Sequence, residues 1–205
     1  MTLTITLIII TILISLLAFN DRNLMGKLLF TPYDVRHSNQ WYRFITSGFI
    51  HADFMHLAMN MFVFYTFGEA VENVYVVLFG TKGKLFFLIL YIGAMIFADL
   101  ATYAKHNNDR YYASLGASGA VSGVMFAFIF FAPWQGLTFI FFPFAKIPAF
   151  ILGILYLVYS SYMSRKGGDR INHDAHFYGA VFGFLFTIAL KPDLVKFFLE
   201  QITHP

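Results

Sequence analysis

The sequence has no cysteine and little charge. Its 205 residues therefore carry no disulfide, no thiolate nucleophile and no cysteine-based zinc or iron–sulfur site. Charged residues make up 12% of the chain, which is about half of their share in a typical soluble domain. The formal net charge is only +3, and the basic residues are scattered. This excludes the clustered basic surface of a nucleic-acid-binding protein.

Hydrophobic residues take the place of the missing charge. They make up 59% of the chain, aromatic residues make up 20%, and 27 residues are Phe. The mean hydropathy is +0.66. The long runs are apolar all round rather than along one stripe, which is typical of helices surrounded by lipid and not of the core of a soluble protein.

These apolar runs predict membrane-spanning helices. Such a helix needs roughly 17–25 mostly apolar residues. Six runs come near that length, at about 2–19, 53–76, 85–104, 116–133, 147–163 and 174–190. No linker, repeat or soluble domain fits between them. The sequence therefore predicts an all-α polytopic membrane protein, a bundle of six transmembrane helices that forms one domain over residues 1–205.

One of these runs and two shorter segments allow more than one interpretation. Residues 2–19 lack the basic flank and the cleavage site of a signal peptide, so we expect a retained helix. Residues 137–145 are too short to span a bilayer, and we expect an interfacial connection there. The tail after Pro192 is expected to form a short amphipathic helix on the membrane surface.

Polar side chains within the apolar runs are the first candidates for function, because they are costly to place in hydrocarbon. They lie at the beginnings of three runs, as His51, His56 and Asn60, as Ser118, and as His173, Asp174 and His176. Two further acids, Glu72 and Asp99, are expected at the membrane interface. For His51 we expect a structural hydrogen bond, and for His173 and Asp174 capping or solvent contact.

Ser118 and His176 together indicate nucleophilic catalysis. Neutral imidazole is a natural base for a serine hydroxyl near neutral pH. Glycines beside the serine let the backbone turn tightly and let a substrate approach. Small residues four apart would also let the fourth and sixth helices meet closely; these are Gly119 and Gly123, then Ala175, Gly179 and Gly183. Such a contact would bring Ser118 and His176 to the same depth.

A tetrahedral intermediate also needs hydrogen-bond donors for its oxyanion. His56 and Asn60 are four residues apart, so they share one helix face and can donate to a common point. The backbone N–H of Ser118 is a third donor. The one acid near this depth is Asp174 at the rim, so we expect a dyad and not a triad.

Four motifs occur in order along the chain: WYRF at 41–44, H-x4-H-x3-N from His51 to Asn60, G-x-S-G at 116–119, and A-H-x2-G-x3-G from Ala175 to Gly183. With these motifs the chain resembles the rhomboid family of intramembrane serine proteases over essentially its whole length. The resemblance implies a serine endopeptidase. Its site residues would be the nucleophile Ser118, the base His176, the oxyanion and substrate-binding residues His56, Asn60 and Gly116, and the supporting glycines Gly119, Gly179 and Gly183.

The same resemblance implies partners and further residue roles. Substrates would be single-pass transmembrane proteins, cut within the lipid bilayer without cofactor, metal or nucleic acid. Arg43 and Glu69 would help to hold the first loop against the bundle. The chain departs from the best-known bacterial pattern of the family at Ser122, four residues after the nucleophile, where an aromatic residue can support the catalytic histidine. Ser122 faces the same way as Ser118 and is a candidate to hydrogen-bond His176.

Two other functions stay open. Histidines and aspartates near two helix starts could form a metal or ion transport site, with His173 and His176 as ligands. That hypothesis leaves the glycine–serine turn unexplained. The chain could also be a rhomboid relative that binds membrane clients without cutting them, although such proteins typically lack the serine or the histidine.

The family motifs and the distribution of basic residues predict opposite orientations in the membrane. The resemblance predicts a bacterial inner-membrane protein with cytoplasmic termini and a site that opens outward. That orientation leaves most basic residues outside, against the positive-inside rule: Arg22, Lys27, Arg36, Arg43, Lys105, Arg110, Arg165, Lys166 and Arg170. We favour the orientation from the motifs, because Arg43 is expected to be committed to a packed first loop.

Overall fold

The computed structural model of the chain describes residues 1–139, 142–169 and 171–203; Arg170 lies outside them. Most of these residues are helical. The helices are α1 (Leu3–Asn20), α2 (Arg22–Leu28), α3 (Pro32–Ser38), α4 (Arg43–Thr46), α5 (Phe54–Phe79), α6 (Gly83–His106), α7 (Ser118–Phe131), α8 (Ala149–Lys166), α9 (His173–Leu190) and α10 (Leu194–Thr203). Single 3-10 turns lie at Ser47–Phe49 and Gly80–Lys82.

Each of the six apolar runs lies on a helix, namely α1, α5, α6, α7, α8 and α9, whose ends differ from the expected ones by at most three residues. Among the described residues, two helical stretches are long and apolar enough to cross a membrane, Leu3–Asn20 and Phe54–His106. The second combines α5 and α6. Helix α7 is apolar but has only 14 residues, and the last two turns of α8 are polar.

The connection expected at 137–145 contains strand structure. Strand β1 (Gly136–Phe139) pairs antiparallel with β2 (Phe142–Pro148), with Gly136 opposite Pro148. Residues 140 and 141 of this connection lie outside the described ranges. The tail contains α10, as expected from its amphipathic pattern; the Trp134 indole donates to the Gln201 carbonyl at 2.7 Å and ties α10 to the end of α7.

The segment between α1 and α5 is a packed structure of its own. Phe30, Val35 and Phe44 form a small buried cluster in it. Phe30 and Ser114 exchange two backbone hydrogen bonds of 3.0 Å each, which attach this first loop to the segment just before α7. The loop therefore takes part in holding the turn that leads to Ser118.

Glu72, expected at the membrane interface, is fully buried within the protein. Its carboxylate accepts the backbone N–H groups of Leu3 and Thr4, each at 2.8 Å, and the Thr4 hydroxyl at 2.9 Å. The first N–H groups of a helix have no partner within the helix, and its positive end favours an anion. Glu72 therefore caps α1 from inside the bundle, which is why this acid tolerates burial.

Candidate active site

Helices α7 and α9 touch through their backbones. A Cβ atom added at Gly179 would lie 2.1 Å from the Gly119 carbonyl oxygen, and one at Gly183 would lie 1.9 Å from that of Gly123. Only glycine allows this approach. The small residues predicted to permit a close contact do so, and the contact continues to Ala175, whose carbonyl oxygen lies 3.4 Å from a Cβ placed on Gly119.

The closest contacts of these two helices define where Ser118 and His176 lie. Ser118 directly precedes Gly119 at the first turn of α7, and His176 directly follows Ala175 in the first turn of α9. Both side chains are half-buried. The contact of Gly119 and Gly123 with Ala175, Gly179 and Gly183 is the glycine seam of α7 and α9. The predicted nucleophile and base therefore lie at the same end of this seam.

The turn before Ser118 is fixed by two hydrogen bonds that its backbone N–H groups donate. Gly116 has φ +115°, a conformation that favours glycine, and its N–H donates to the Ser47 carbonyl at 3.0 Å. The Ala117 N–H donates to His51 Nε2 at 3.4 Å. Within the described chain no side chain caps the start of α7. Its first N–H groups are thus free to face an anion, as an oxyanion site requires.

His56 lies directly against this turn. A Cβ on Gly116 would come within 2.8 Å of His56 Cε1 and 3.0 Å of Nε2. The Ala52 N–H is 3.5 Å from His56 Nδ1, which assigns the proton of the neutral ring to Nε2, on the side of the turn. Asn60 is buried, and its Nδ2 donates to the His56 carbonyl at 3.0 Å, which leaves its second N–H proton available.

His51 joins three parts of the molecule. It is fully buried, and its Nδ1 lies 3.0 Å from the Ser15 hydroxyl of α1. Because Nε2 accepts from Ala117, Nδ1 carries the proton and donates to Ser15, which in turn donates to the Phe49 carbonyl at 3.0 Å. Burial, with a smaller effect of His56, lowers the pKa of His51 to about 3. His51 is therefore neutral and has the structural hydrogen bonds expected of it.

His176 is supported by a tyrosine of α8. The Tyr156 ring stacks on the His176 ring, with centroids 6.0 Å apart and 19° between the planes. The Tyr156 hydroxyl lies 2.5 Å from the Ser122 hydroxyl, which donates to the Ser118 carbonyl at 2.7 Å. The predicted Ser122–His176 hydrogen bond is therefore wrong, since Ser122 is engaged by its own helix and by Tyr156.

Neither His173 nor Asp174 caps α9. The expectation of capping or solvent contact is wrong for the buried His173, whereas the Asp174 side chain is 23% exposed. The cap is Asn172, whose side chain accepts the Ala175 N–H at 3.0 Å. His173 is buried, with Nε2 3.0 Å from Asp169 Oδ2. Asp174 pairs with Lys105 at 2.9 Å and with Ser164. Among the described residues, no group of three or more metal-ligating side chains is arranged to hold a metal ion.

Asp99, also expected at the membrane interface, is buried within the protein and lies near Ser118. Its Oδ2 accepts from the Ser47 hydroxyl at 3.2 Å. Both residues line a cavity of about 20 Å³ together with Ser118 and Asn172, which is room for about one water molecule. The Ser47 hydroxyl donates to Asp99, and the Ser47 carbonyl accepts from the Gly116 N–H. Ser47 thus links Asp99 to the turn before Ser118.

Arg43 binds main-chain carbonyl groups of the first loop. It is buried, and it donates to the Gly26 carbonyl at 3.0 Å, to the Leu29 carbonyl and to the Gln40 side chain at 2.6 Å. Glu69 does not join it. The hydrogen bond of its carboxylate comes from the Thr2 hydroxyl at 3.2 Å, at the beginning of α1, so the expectation that Glu69 helps to hold the first loop is wrong.

The sequence is similar to those of known proteins. The model of the Rhomboid domain matches residues 38–192, about three quarters of the chain. The chain belongs to the rhomboid family. Rhomboid relatives include the candidate rhomboid protease YdcA of Bacillus subtilis (strain 168), 34% identical over 101 residues, which are 49% of this chain and 46% of that protein.

Two other rhomboid relatives are eukaryotic. RHOMBOID-like protein 12, mitochondrial, of Arabidopsis thaliana is 29% identical over 79% of this chain and 50% of its own length. The presenilin-associated rhomboid-like protein, mitochondrial, of Homo sapiens is 29% identical over 68% of this chain and 35% of its own. The chain thus spans half or less of these relatives. Rhomboid proteins are integral membrane proteins, and membership suggests intramembrane proteolysis, although some members are inactive.

Sequence reasoning missed Tyr156 and the buried role of Asp99 in this rhomboid domain. Tyr156 is one of several tyrosines in α8, and its spacing does not distinguish it from Tyr159 and Tyr162, which are exposed. The available signal was Ser122, a small polar residue in an otherwise apolar helix. Such a hydroxyl needs a partner, and the partner comes from a helix distant in sequence.

Proposed function

We propose that the chain is an intramembrane serine endopeptidase that cleaves transmembrane segments of single-pass membrane proteins through a Ser118–His176 dyad. The observation that carries this proposal is the backbone contact of α7 and α9 at Gly119 and Ala175, the neighbours of the two dyad residues. Family membership supports the reaction class, and the free helix start at Ser118 supports the oxyanion site.

The chemistry follows from these positions. His176 takes the hydroxyl proton of Ser118 while Oγ attacks the scissile carbonyl carbon. The carbonyl oxygen becomes an oxyanion and accepts hydrogen bonds from His56 Nε2, the free proton of Asn60 Nδ2 and the Ser118 N–H. Each such donor lowers the barrier by roughly 3 kcal/mol in a water-excluded site.

Three further proton transfers complete the reaction. His176 gives its proton to the leaving amine as the peptide C–N bond breaks, which leaves an ester on Ser118. A water molecule then attacks the ester carbonyl, and His176 takes the water proton and returns it to Ser118 Oγ. The products are a new carboxylate end and a new amine end, and the enzyme is regenerated.

The membrane arrangement belongs to the same proposal. The helices α1, α5, α6, α7, α8 and α9 would be the six transmembrane helices of one domain, in a bacterial inner membrane with cytoplasmic termini. Helix α7 begins at Ser118 and has only 14 residues, so its start would lie below the surface, where water from the outer face reaches the dyad. This orientation can be tested by labelling cysteines introduced at positions 37 and 193 from either side.

Cleavage by purified protein in liposomes tests the function. With a single-pass model substrate, Ser118→Ala and His176→Ala should each lower kcat at least about a thousandfold. The matched controls are Ser38→Ala and His37→Ala, which change the same residue types at exposed positions of α3 and should cleave like the native chain. Retained cleavage in Ser118→Ala or in His176→Ala would refute the dyad.

A non-cleaving rhomboid relative makes the opposite prediction. It would hold the model substrate in the same liposomes, without product, whether or not Ser118 is present. Absence of cleavage by the folded native chain, across several single-pass substrates, would therefore replace the protease by a client-binding protein.

A further inference from the structure

Tyr156 differs from the other tyrosines of its helix. Tyr159 and Tyr162 are 54% and 58% exposed, whereas Tyr156 points inward, against Phe126 of α7 and His176 of α9. The reason lies one turn earlier. Gly153 is buried, and a Cβ there would come within 3.0 Å of Ile129 Cδ1, so α8 approaches α7 closely at this point and brings Tyr156 over the first turns of α7 and α9.

The hydroxyl bonds around Tyr156 have one consistent direction. Ser122 has a single hydroxyl proton, and it donates this proton to the Ser118 carbonyl at 2.7 Å. In the 2.5 Å contact between Ser122 and Tyr156, the donor is therefore Tyr156. Ser122 is 3% exposed, and a buried hydroxyl in an apolar helix is retained where it has a partner. Each of these two buried hydroxyls is the partner of the other.

We propose that Tyr156 is a positioning residue for the catalytic base. Its ring fixes the plane of the His176 imidazole by stacking, and its hydroxyl is fixed by Ser122, one helical turn after Ser118. The chain Ser118 carbonyl, Ser122, Tyr156 and His176 thus sets the base relative to the nucleophile through a third helix. This inference rests on the proposed function of the Ser118–His176 dyad.

A residue that merely filled the core would behave differently. Filling needs volume alone, so Leu or Met would serve at position 156, and a polar residue at position 122 would bring only cost. Positioning needs a flat ring, and a misplacement of about 1 Å at the reacting groups can cost about a hundredfold in rate. The two roles therefore separate in kcat, not in stability.

Steady-state cleavage by the full chain in liposomes tests the proposal with four variants. Tyr156→Leu removes the ring and the hydroxyl and should lower kcat about 10- to 100-fold, with KM changed less than about threefold. Tyr156→Phe keeps the ring and should recover all but about fivefold of the native kcat. Ser122→Ala removes the anchor of the hydroxyl and should match Tyr156→Phe. Tyr162→Leu, a matched change on the exposed face of α8, should leave both constants unchanged.

Specific results overturn the proposal. It is overturned if Tyr156→Leu keeps kcat within about twofold of native, if Tyr156→Phe is as slow as Tyr156→Leu, or if the loss is confined to KM. Should Tyr156→Leu fail to fold, Tyr156→Met keeps the apolar volume without a ring, and the same outcomes decide.

The inference and the proposed function can fail separately. Native chain and Ser118→Ala are measured in the same preparation. Cleavage that persists in Ser118→Ala overturns both. Cleavage that depends on Ser118 but is indifferent to Tyr156→Leu overturns the positioning role alone and leaves the dyad standing.

Discussion

The two halves of the proposed dyad are held by different means. The turn that leads to Ser118 is held through its own main chain: the Gly116 N–H donates to the Ser47 carbonyl, the Ala117 N–H donates to the His51 imidazole, and Gly119 packs against α9 without a side chain between. His176 shares the glycine seam, but its ring is oriented by a side chain, the Tyr156 ring of α8.

The main chain therefore sets the position of Ser118, whereas the Tyr156 side chain sets the orientation of the His176 ring. The nucleophile side depends on backbone geometry at glycines and on a packed first loop, so changes there act on the fold and on activity together. The base side depends on one replaceable ring, so changes there can act on activity alone. Substitutions on the two sides should therefore differ in whether stability falls together with kcat.

Gly179→Ala should have the largest effect. The new methyl group would meet the Gly119 carbonyl oxygen at 2.1 Å, and backbone on both sides prevents relief, so α7 and α9 must separate. Overpacking typically costs 1–3 kcal/mol and occasionally more; with main chain on both sides we expect more than about 3 kcal/mol, and the shift of the dyad should lower kcat about a hundredfold. Thermal unfolding in detergent and cleavage in liposomes measure the two losses.

The control for this change is Gly26→Ala. Position 26 lies in α2, and a Cβ there meets nothing within 4 Å. Its melting temperature and kcat should equal or exceed the native values. A Gly179→Ala chain that melts and cleaves like Gly26→Ala would show that the helices do not meet as described.

Arg43→Ala should come next. It leaves the Gly26 and Leu29 carbonyls without their charged donor, which costs about 3 kcal/mol in a buried site. The first loop carries Ser47 and His51, so activity should fall with stability. Arg36→Ala, an exposed arginine of the same loop, should change stability by less than about 0.5 kcal/mol. Equal effects of both substitutions in urea or thermal unfolding would contradict the anchoring role.

His51→Gln tests the contacts that hold the turn before Ser118, through the pH dependence of stability. The pKa of His51 is lowered by burial to about 3, whereas it is about 6.5 in an unfolded chain. Between these values the unfolded chain binds a proton that the folded chain does not. The stability from neutral His51 is therefore complete above pH 6.5 and is lost as pH falls toward 3.

Melting temperatures at pH 7.5 and pH 5 provide the measurement. The native chain should lose stability over this interval, and His51→Gln, which cannot be protonated, should lose less. At pH 7.5 the variant itself should be destabilised by about 1–2 kcal/mol because its two hydrogen bonds are disturbed. If His51→Gln loses as much melting temperature between pH 7.5 and pH 5 as the native chain does, protonation of His51 does not cause the loss of stability in this pH interval.

Lys105→Ala should have the smallest effect and lies on the base side. The ion pair of Lys105 with Asp174 is 2.9 Å long, but the lysine side chain is 51% exposed, and exposed pairs contribute at most about 1 kcal/mol. The melting temperature should change by a few degrees at most, with kcat unchanged. A large loss of kcat would show that the start of α9 is held by charge and not by the glycine seam and Tyr156.

The sequence predicted much of this arrangement because its signals are local. Apolar runs fix six helices, and glycine spacing of four marks the seam of α7 and α9. What could not be predicted depends on contacts between distant segments. The burial of Glu72 and Asp99 could not be predicted because their partners, the start of α1 and Ser47, are 68 and 52 residues away. The Ser122–Tyr156 pair, 34 residues apart, is hidden for the same reason.

Labelling with a fluorescent fluorophosphonate tests the central claim, that Ser118 is a nucleophile activated by His176. The probe forms a covalent bond with an activated serine and needs no known substrate. We expect labelling of the native chain and of Gly26→Ala, none of Ser118→Ala, and only trace labelling of His176→Ala. Labelling of Ser118→Ala at the native rate would show that the reactive serine lies elsewhere.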